Sequence, residues 1–315
     1  MAYSVLLVIT GLILLTFGAE GLVRAGASLA LRFGVSPLVI GLTILAFGTG
    51  SPELVVSTQA ALYGNSAIAL GNIIGSNISN TCLILGAAAV IYPMEAKTQV
   101  VRREVPVMVV ATGLLWLLIA DGELGRIDGA IFVAASFTYT LMVYLIARKN
   151  KSDEIHQTFS EAIDEPSRSK MLDLLTLLGG LAFLIIGAKM LLEGAVEIAR
   201  IYNISEVVIG LTVIAIGTSL PELATSTVAS LKKNSDLALG NAIGSNILNV
   251  TCILGVAALI QPIPTNDVRN IDMFVVLGVS ILLWAMLGTR FQLDRIEGLL
   301  LLSIYFIYIY SLIPI

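Results

Sequence analysis

Apolar runs of about 20 residues recur along this chain, and short groups of polar, glycine or proline positions separate them. A helix of that length crosses the ~30 Å hydrocarbon core of a bilayer. The pattern therefore predicts an all-α integral membrane protein with ten transmembrane helices. The predicted spans are 5–28, 36–62, 67–92, 105–120, 129–147, 172–199, 205–230, 237–260, 271–288 and 297–313.

The longest polar stretch, 148–170, separates a first half (residues 1–147) from a second half (171–315), with five predicted spans in each. It mixes both signs of charge and contains His156, the only histidine of the chain. We interpret it as a solvated cytoplasmic linker, with a regulatory contact as the alternative.

The second half repeats the first at a constant offset of 169 residues. The sequence IGLTILAFGT at 40–49 returns as IGLTVIAIGT at 209–218, and GNIIGSNISN at 71–80 returns as GNAIGSNILN at 240–249. Because five is an odd number, the second copy enters the membrane with the opposite orientation. The chain is thus predicted to be two inverted-topology five-helix repeats, with motifs at 40–80 and 209–249. Many secondary transporters have this architecture, with substrate sites near the midplane.

Each copy places a proline and a glutamate within an apolar run, as PEL at 52–54 and at 221–223. A proline leaves the carbonyl four residues earlier without its helical donor, and such a group must be satisfied by something else in a bilayer. An ionised carboxylate at mid-membrane costs roughly 2.5–3.5 kcal/mol. Since these stretches contain no basic residue, Glu53 and Glu222 need a mobile cation or a proton.

Further oxygen atoms lie close to these acids in the sequence, and Ca²⁺ prefers 6–8 oxygen ligands. The hydroxyl groups near the two breaks belong to Thr49, Ser51, Thr218 and Ser219. In the second motif, a serine and an asparagine four residues apart share a helix face. These pairs are Ser76 with Asn80 and Ser245 with Asn249. Asn77 and Asn246 are either further polar groups of the site or interhelical hydrogen-bond partners.

Composition agrees with a membrane protein, since 57% of the residues are hydrophobic and only 13% are charged. A soluble domain carries about 25% charged residues. Nothing indicates nucleic-acid binding, a cofactor or a protein partner, and we expect a lipid bilayer around the chain. Cys82 and Cys252 form no spaced cluster, which argues against a zinc site or a disulfide framework. The N-terminus lacks the features of a signal peptide, so the first run is expected to be a retained helix.

Basic residues are distributed unequally between alternate loops. All but four of the 18 lysines and arginines fall in one set of loops. The exceptions are Arg126, Lys189, Arg200 and Arg269. The positive-inside rule places the basic-rich set in the cytoplasm. Both termini are therefore expected outside the cell and the 148–170 linker inside it.

The paired motifs, GTGSPE with GNIIGSNISN and GTSLPE with GNAIGSNILN, resemble the repeats of the calcium/cation antiporter superfamily, and of prokaryotic sodium/calcium exchangers in particular. The resemblance covers all ten spans. It implies a compact core formed by spans 2, 3, 7 and 8, across which the long spans 1 and 6 slide for alternating access.

The resemblance also implies a ligand set for Ca²⁺ and Na⁺. Glu53 and Glu222 are the implied shared carboxylates, Thr49 and Thr218 supply backbone and hydroxyl oxygens, and Ala46 and Ala215 supply carbonyls. The implied flanking Na⁺ ligands are Ser76, Ser219 and Ser245, while Asn80 and Asn249 line the centre. The chain departs from the family pattern by having asparagine at both central positions and Gly50 opposite Ser219.

We therefore expect an antiporter that exchanges Ca²⁺ for Na⁺ across the cytoplasmic membrane, without covalent chemistry and so not an enzyme. One alternative is an H⁺-driven Ca²⁺ antiporter that uses the same glutamates as proton carriers. Another, of a different class, is a passive cation channel, which typically builds selectivity around a symmetric pore. An inverted repeat with interrupted helices favours alternating access over a channel.

Overall fold

The computed structural model describes residues 1–63, 66–149, 169–202, 215–265 and 269–312. Nearly all of them are helical. The helices are α1 (Ala2–Phe33), α2 (Pro37–Ile40), α3 (Ala46–Thr49), α4 (Ser51–Leu62), α5 (Ser66–Ile78), α6 (Leu85–Ile91), α7 (Val105–Leu118), α8 (Arg126–Lys149), α9 (Lys170–Ile201), α10 (Ala215–Gly217), α11 (Leu220–Leu231), α12 (Ser235–Leu248), α13 (Gly255–Ile260), α14 (Asn270–Arg290) and α15 (Arg295–Leu312).

Shorter elements connect or interrupt these helices. In the described part of the chain, the π-helical segments are π1 (Gly41–Leu45), π2 (Ser79–Ile84), π3 (Val100–Glu104) and π4 (Asn249–Leu254), and a 3₁₀ turn covers Ile119–Asp121. The two-residue strands among the described residues are β1 (Met94–Glu95), β2 (Glu123–Leu124), β3 (Ile263–Pro264) and β4 (Gln292–Leu293). The all-α prediction is thus right for the membrane segments and omitted these short strands.

The helices of the described residues account for nine of the ten predicted spans. Eight helical segments are long and apolar enough to cross a membrane, and the bent pair Pro37–Thr49 and Ser51–Leu62 makes a ninth. Residues 205–214 of the predicted span 205–230 lie outside the described residues, and the remainder of the span corresponds to α10 and α11. Most of the 148–170 linker, with His156, also lies outside them.

Two of the observed helices are longer than the predicted spans. Helices α1 and α9 contain 32 residues each, longer than the predicted 5–28 and 172–199. At 1.5 Å per residue each is ~48 Å long, which exceeds the ~30 Å hydrocarbon core. These two helices therefore tilt or project beyond the bilayer.

The buried centre of the fold is formed by the third span of each half. The segments Ile68–Ile91 and Ser235–Ile260 are 78% buried over their most apolar windows, whereas the other single-helix spans are 22–39% buried. The outer helices expose large apolar side chains, such as Phe17, Leu117 and Phe137. Contiguous exposed apolar surface of this kind suits contact with lipid.

The short strands pair between the halves and not within them. Strand β1 pairs with β4, and β2 pairs with β3, both antiparallel. The 169-residue offset relates β1 to β3 and β2 to β4. Each strand of one half therefore pairs with the equivalent of its neighbour in the other half, which is the exchange that a two-fold relation between the halves produces.

Glycines bring α1 and α9 into backbone contact at two equivalent places. A methyl group built on Gly18 would lie 2.8 Å from the carbonyl oxygen of Gly180, and one built on Gly11 would lie 2.7 Å from that of Gly187. The offset converts Gly11 into Gly180 and Gly18 into Gly187, so the two contacts are copies of each other. Small residues allow this close approach between membrane helices.

Glycines of the second motif also make close helix contacts, in the copy at 240–249. A methyl group on Gly240 would lie 2.8 Å from the carbonyl of Leu38, and one on Gly244 would lie 2.7 Å from the Cα of Leu42. The segment equivalent to 38–42 in the second half, 207–211, lies outside the described residues. The GxxxG spacing at 240–244 thus serves close packing of α12 against the second span.

We predict that Gly180→Ala destabilises the protein by about 1–3 kcal/mol, the usual effect of overpacking. The added methyl group would lie 2.9 Å from the carbonyl of Gly18 and 3.1 Å from the amide nitrogen of Leu22. The neighbouring Gly179 is exposed and has open space around it, so Gly179→Ala is the matched control. Thermal unfolding in detergent measures both variants, and equal midpoints would contradict close packing at this crossing.

Candidate functional site

Glu53 and Glu222 each lie in the first turn of a helix that begins after an interruption of the helical span. The break before α4 is at Gly50, where the two parts of the second span differ in direction by 46°. A proline at the start of a helix loses no intrahelical hydrogen bond. A helix N-terminus carries partial positive charge, which stabilises a nearby carboxylate. The break therefore accommodates the proline and supports the acid that follows it.

Both carboxyl groups are buried and incompletely hydrogen-bonded. Each side chain is 1% exposed. Nine buried side-chain oxygens of the described residues have no hydrogen-bond partner, and five of them belong to predicted site residues. These are Glu53 Oε2, Glu222 Oε2, Asn80 Oδ1, Asn249 Oδ1 and Ser245 Oγ. Leaving such atoms unsatisfied costs about 1–3 kcal/mol each, so the arrangement is suited to a bound cation.

Within the described residues, no basic side chain neutralises these acids. The ion pairs there connect other residues, including Lys97 with Asp236, Lys232 with Glu20 and Arg103 with Glu104. No group of three or more His, Cys, Asp or Glu side chains is placed to hold a metal in the part of the chain described. A cation between the two glutamates would therefore complete its coordination with neutral oxygens.

Hydroxyl groups from both halves approach the two carboxylates. Ser76 Oγ lies 3.5 Å from Glu53 Oε1, and Ser219 Oγ donates to Ser76 Oγ at 3.4 Å. The Thr49 side chain, from the opposite half, lies beside Glu222. Hydrogen bonds near 3.5 Å are at the weak end of the accepted range. The carboxylates therefore have hydroxyl groups around them but form only weak hydrogen bonds with these groups.

Asn72 and Asn241, which the sequence analysis missed, hold the two site threonines. Thr49 Oγ1 donates to Asn241 Oδ1 at 3.2 Å, and Thr218 Oγ1 donates to Asn72 Oδ1 at 3.3 Å. Both are the GN asparagines that open the second motif and recur at the 169-residue offset. Their recurrence at equivalent positions was the signal in the sequence that could have identified them.

Each of these asparagines also binds a serine one helical turn beyond a site glutamate. Asn72 Nδ2 donates to Ser57 Oγ and Asn241 Nδ2 donates to Ser226 Oγ, both at 3.1 Å. The carboxamide thus connects the broken span of one half to the equivalent span of the other half. Because each threonine donates its proton to an asparagine, the threonine oxygen keeps its lone pairs available for a cation.

The two halves differ at Gly50 with a visible structural consequence. Ser76 receives a hydrogen bond from Ser219, but Gly50, which occupies the equivalent position in the first half, has no hydroxyl. Ser245, the equivalent of Ser76, has a buried hydroxyl without a hydrogen-bond partner. A methyl group built on Gly50 would lie 3.8 Å from Asn249 Oδ1. Gly50 therefore leaves one flank of the site short of a hydroxyl.

Asn80 and Asn249 lie in π-helical segments, which the sequence did not predict. Asn80 is the second residue of π2, and Asn249 is the first residue of π4. Both side chains are 1% exposed. Single π-turns within α-helices occur frequently at functional sites. Here they shift the side-chain register of both central asparagines relative to a continuous α-helix.

The remaining predicted ligands are placed less favourably. The Ser51 hydroxyl donates to the carbonyl of Phe47 at 3.1 Å and is partly exposed, so the structure does not bring it to the carboxylates. A serine early in a helix often forms such a bond to its own preceding turn. The Ala46 carbonyl accepts the Gly50 amide at 3.0 Å. Ala215 begins α10, and its side chain is outside the described residues.

Asn77 and Asn246, whose role the sequence left open, make interhelical hydrogen bonds. Asn77 Nδ2 donates to the backbone carbonyl of Asn246 at 3.1 Å, and Asn249 Nδ2 donates to Asn77 Oδ1 at 3.0 Å. Asn77 thus contacts a predicted ligand directly while joining α5 to α12. Asn246 Nδ2 donates to Thr81 Oγ1 at 2.8 Å, so the interpretation as interhelical partners is confirmed for both residues.

Comparison with known protein families gives an independent result. A family model described as "Sodium/calcium exchanger protein" matches residues 3–145 and 172–313. The two matched segments correspond to the two halves and leave out the linker.

Individual proteins are similar over most of the chain. The sodium/calcium exchanger MaX1 of Methanosarcina acetivorans is 31% identical over 95% of both chains. The inner membrane protein YrbG of Escherichia coli is 38% identical over 83% of this chain and 81% of its own. The solved structure of the sodium-calcium exchanger NCX_Mj, soaked with 10 mM Na⁺ and 10 mM Sr²⁺, superposes with a TM-score of 0.85 at 33% identity over 99% of both chains.

We predict that Ca²⁺ raises the thermal unfolding midpoint of the detergent-solubilised protein, because a cation that binds the two buried carboxylates stabilises the folded state. Saturation at 100 times the dissociation constant corresponds to about 2.7 kcal/mol. Glu53→Gln and Glu222→Gln should each remove most of the Ca²⁺-dependent shift. The exposed Glu193, on α9, provides the control Glu193→Gln. A full shift in either site variant would show that Ca²⁺ binds elsewhere.

Proposed function

The chain belongs to the sodium/calcium exchanger protein family, and on that premise we propose that it exchanges Ca²⁺ for Na⁺ across the cytoplasmic membrane. The observation that carries the proposal is the pair of buried glutamates, Glu53 and Glu222, each with an unpartnered Oε2 and neither in an ion pair with a described residue. Two like charges in this position require positive charge from a mobile ion.

The composition of the site favours Ca²⁺ as one of the exchanged ions. Two carboxylates neutralise one divalent cation, and Ca²⁺ is bound by 6–8 oxygens from carboxylates, carbonyls and amides. The unpartnered amide oxygens of Asn80 and Asn249 and the hydroxyl of Ser245 provide neutral ligands of the right type. The oxygens of Thr49 and Thr218 add to them.

Exchange follows if Na⁺ uses the same carboxylates. Several Na⁺ ions or one Ca²⁺ ion neutralise Glu53 and Glu222, and the two sets cannot occupy overlapping positions together. Ser76 and Ser219, which share a hydrogen bond beside Glu53, would contribute oxygens to a flanking Na⁺ site. Each set of ions therefore displaces the other, which couples their movements in opposite directions.

We further propose ten transmembrane helices in two inverted repeats, with alternating access by movement of α1 and α9 across the core. The exchanged strand pairs and the reciprocal glycine contacts support this relation between the halves. The distribution of basic residues supports extracellular termini and a cytoplasmic 148–170 linker. No protein partner is required for this activity.

An H⁺-driven antiporter is the second candidate, because protonation also neutralises a buried carboxylate. The observation that favours it is the presence of asparagine at both central positions and of glycine at 50, which leaves fewer ligands for Na⁺ than two complete flanking sites would have. A passive channel has less support, since the site lies between interrupted helices in the buried centre of the fold.

We predict that an outward-directed Na⁺ gradient drives Ca²⁺ uptake into vesicles that contain the purified protein, and that a pH gradient without Na⁺ does not. Glu53→Gln and Glu222→Gln should each reduce uptake at least tenfold, because charge-assisted contacts to a buried group contribute about 1.5–3 kcal/mol. Uptake should remain normal in Glu193→Gln. Uptake driven by the pH gradient alone would favour the H⁺-driven alternative, and Ca²⁺ flux without any counter-ion would favour a channel.

We predict that Gly50→Ser increases the apparent affinity for Na⁺, because the added hydroxyl would supply the hydrogen-bond partner that the Ser245 hydroxyl lacks. The half-saturating Na⁺ concentration should fall about twofold to tenfold, the range expected for one added hydrogen-bonding ligand. Gly50→Ala is the matched control, since both variants place a Cβ 3.0 Å from the Ala46 carbonyl but only serine adds an oxygen. Identical Na⁺ dependence in the two variants would contradict a Na⁺ ligand at this position.

A further inference from the structure

The hydrogen bonds around the two central asparagines are unequal, although the 169-residue offset makes Asn80 and Asn249 equivalent. Asn249 Nδ2 donates to Asn77 Oδ1 at 3.0 Å, which holds its carboxamide in one orientation. The equivalent bond in the other half would run from Asn80 Nδ2 to Asn246 Oδ1. Asn246 Oδ1 and Asn80 Oδ1 instead have no partner, and the described residues show no side-chain hydrogen bond to Asn80.

A hydroxyl on only one side of the site explains this difference. Asn246 Nδ2 donates to Thr81 Oγ1 at 2.8 Å and lies 3.3 Å from Met108 Sδ. The positions equivalent to Thr81 and Met108 in the second half are Val250 and Leu277, which offer no acceptor. Asn77 Nδ2 donates instead to the backbone carbonyl of Asn246, and in that orientation Asn77 Oδ1 accepts from Asn249. Asn246, bound to Thr81, does not tether Asn80.

The tethered amide is also the one placed toward the broken helix. Asn249 Oδ1 lies 3.8 Å from the position of a Cβ on Gly50, next to the turn that precedes Glu53. Its Nδ2 is used by Asn77, so the oxygen is the atom presented to an ion. Asn80 is equally buried, at 1% exposure, but its carboxamide is not fixed by a hydrogen bond to a described residue.

We propose that Thr81 is a positioning residue that makes the two central asparagines inequivalent, so that Asn249 is a fixed oxygen ligand for Ca²⁺ and Asn80 an adjustable one. The inference rests on the proposed Ca²⁺ site between Glu53 and Glu222. An adjustable ligand allows the same site to accept ions of different number and coordination, because it need not keep the geometry that Ca²⁺ requires. A hydroxyl outside the ligand set thus tunes the balance between the exchanged ions.

The test replaces Thr81 by valine, the residue present at the equivalent position of the second half. In Thr81→Val the Asn246 amide loses its hydroxyl acceptor and keeps only the thioether of Met108, a weak acceptor, so its carboxamide is released to turn Oδ1 toward Asn80. Asn80 then becomes a second fixed ligand, and the half-saturating Ca²⁺ concentration for uptake should fall about 3- to 10-fold, the effect of one hydrogen bond. Thr81→Ser keeps the hydroxyl and should behave as the wild type.

Two further variants separate positioning from a general effect on the fold. Asn246→Leu introduced together with Thr81→Val should abolish the gain in Ca²⁺ affinity, because the gain requires the Asn246 amide; such non-additivity is the signature of a coupled pair. Thr112→Val removes another buried hydroxyl, which donates only to the Met108 carbonyl of its own helix. This control should leave the half-saturating concentration unchanged.

Ca²⁺-dependent thermal shift in detergent provides a readout that does not depend on the driving ion. If the wild type shows the shift and Thr81→Val has unchanged or weaker Ca²⁺ affinity, the positioning role is wrong while the proposed site stands. A gain that persists in the double variant with Asn246→Leu also overturns it. If the wild type shows neither a Ca²⁺ shift nor Ca²⁺ uptake, the proposed function fails and this inference fails with it.

Discussion

The burial of two carboxylates without a basic partner among the described residues is the constraint on which the rest of the site depends. Glu53 and Glu222 are 1% exposed and lie in the interior of a membrane protein. An uncompensated charge there is costly, and two like charges increase the cost through mutual repulsion. The fold responds with helix N-termini, hydroxyls and amide oxygens, all of which are neutral. None of these groups cancels the net charge, so a bound cation or a proton would stabilise the arrangement.

Duplication supplies a symmetric backbone, and a few side-chain differences make the site asymmetric. The strand exchange and the glycine contacts obey the 169-residue offset closely. Thr49 with Asn241 and Thr218 with Asn72 follow it as well, at 3.2 and 3.3 Å. Gly50 breaks the relation beside one flank of the site, and this difference changes the hydrogen bonds of a group near the carboxylates. Asymmetry is thus introduced next to the ligands, where it changes binding without altering the helix packing.

The sequence predicted those features that depend on local chemistry or on the repeat. Span positions follow from hydrophobic length, and the helix break follows from a proline that cannot continue the hydrogen-bond ladder. The π-helical turns at Asn80 and Asn249 were not predictable, because they depend on packing between spans and not on residue preference. The role of Asn72 and Asn241 was missed for a related reason. Their partners lie 146 and 192 residues away, and only the assembled fold brings them together.

Ser51 shows the opposite error, in which local sequence suggested a ligand that the helix geometry does not provide. A hydroxyl two residues before Glu53 is close in sequence, but successive residues of a helix point in different directions. Its hydroxyl therefore reaches the carbonyl of Phe47 on the same helical face. Proximity in the chain is a poor guide to a binding site unless the spacing also matches the helical period.

The contacts of α1 and α9 explain how such a site could open to either side while its core stays intact. The two helices are joined at both ends by a serine that donates to a carboxylate, Ser4 to Glu197 at 2.7 Å and Ser28 to Asp173 at 2.8 Å. The 169-residue offset relates Ser4 to Asp173 and Ser28 to Glu197. The two links are therefore copies of each other in which the helices exchange the serine and the acid. By contrast, the ion pair of α1 with Lys232, through Glu20, is partly exposed and so contributes little. The contacts of α1 with α9 are separate from the hydrogen bonds among α4, α5, α11 and α12, which involve neither long helix. This separation is consistent with the proposed movement of α1 and α9 as a unit.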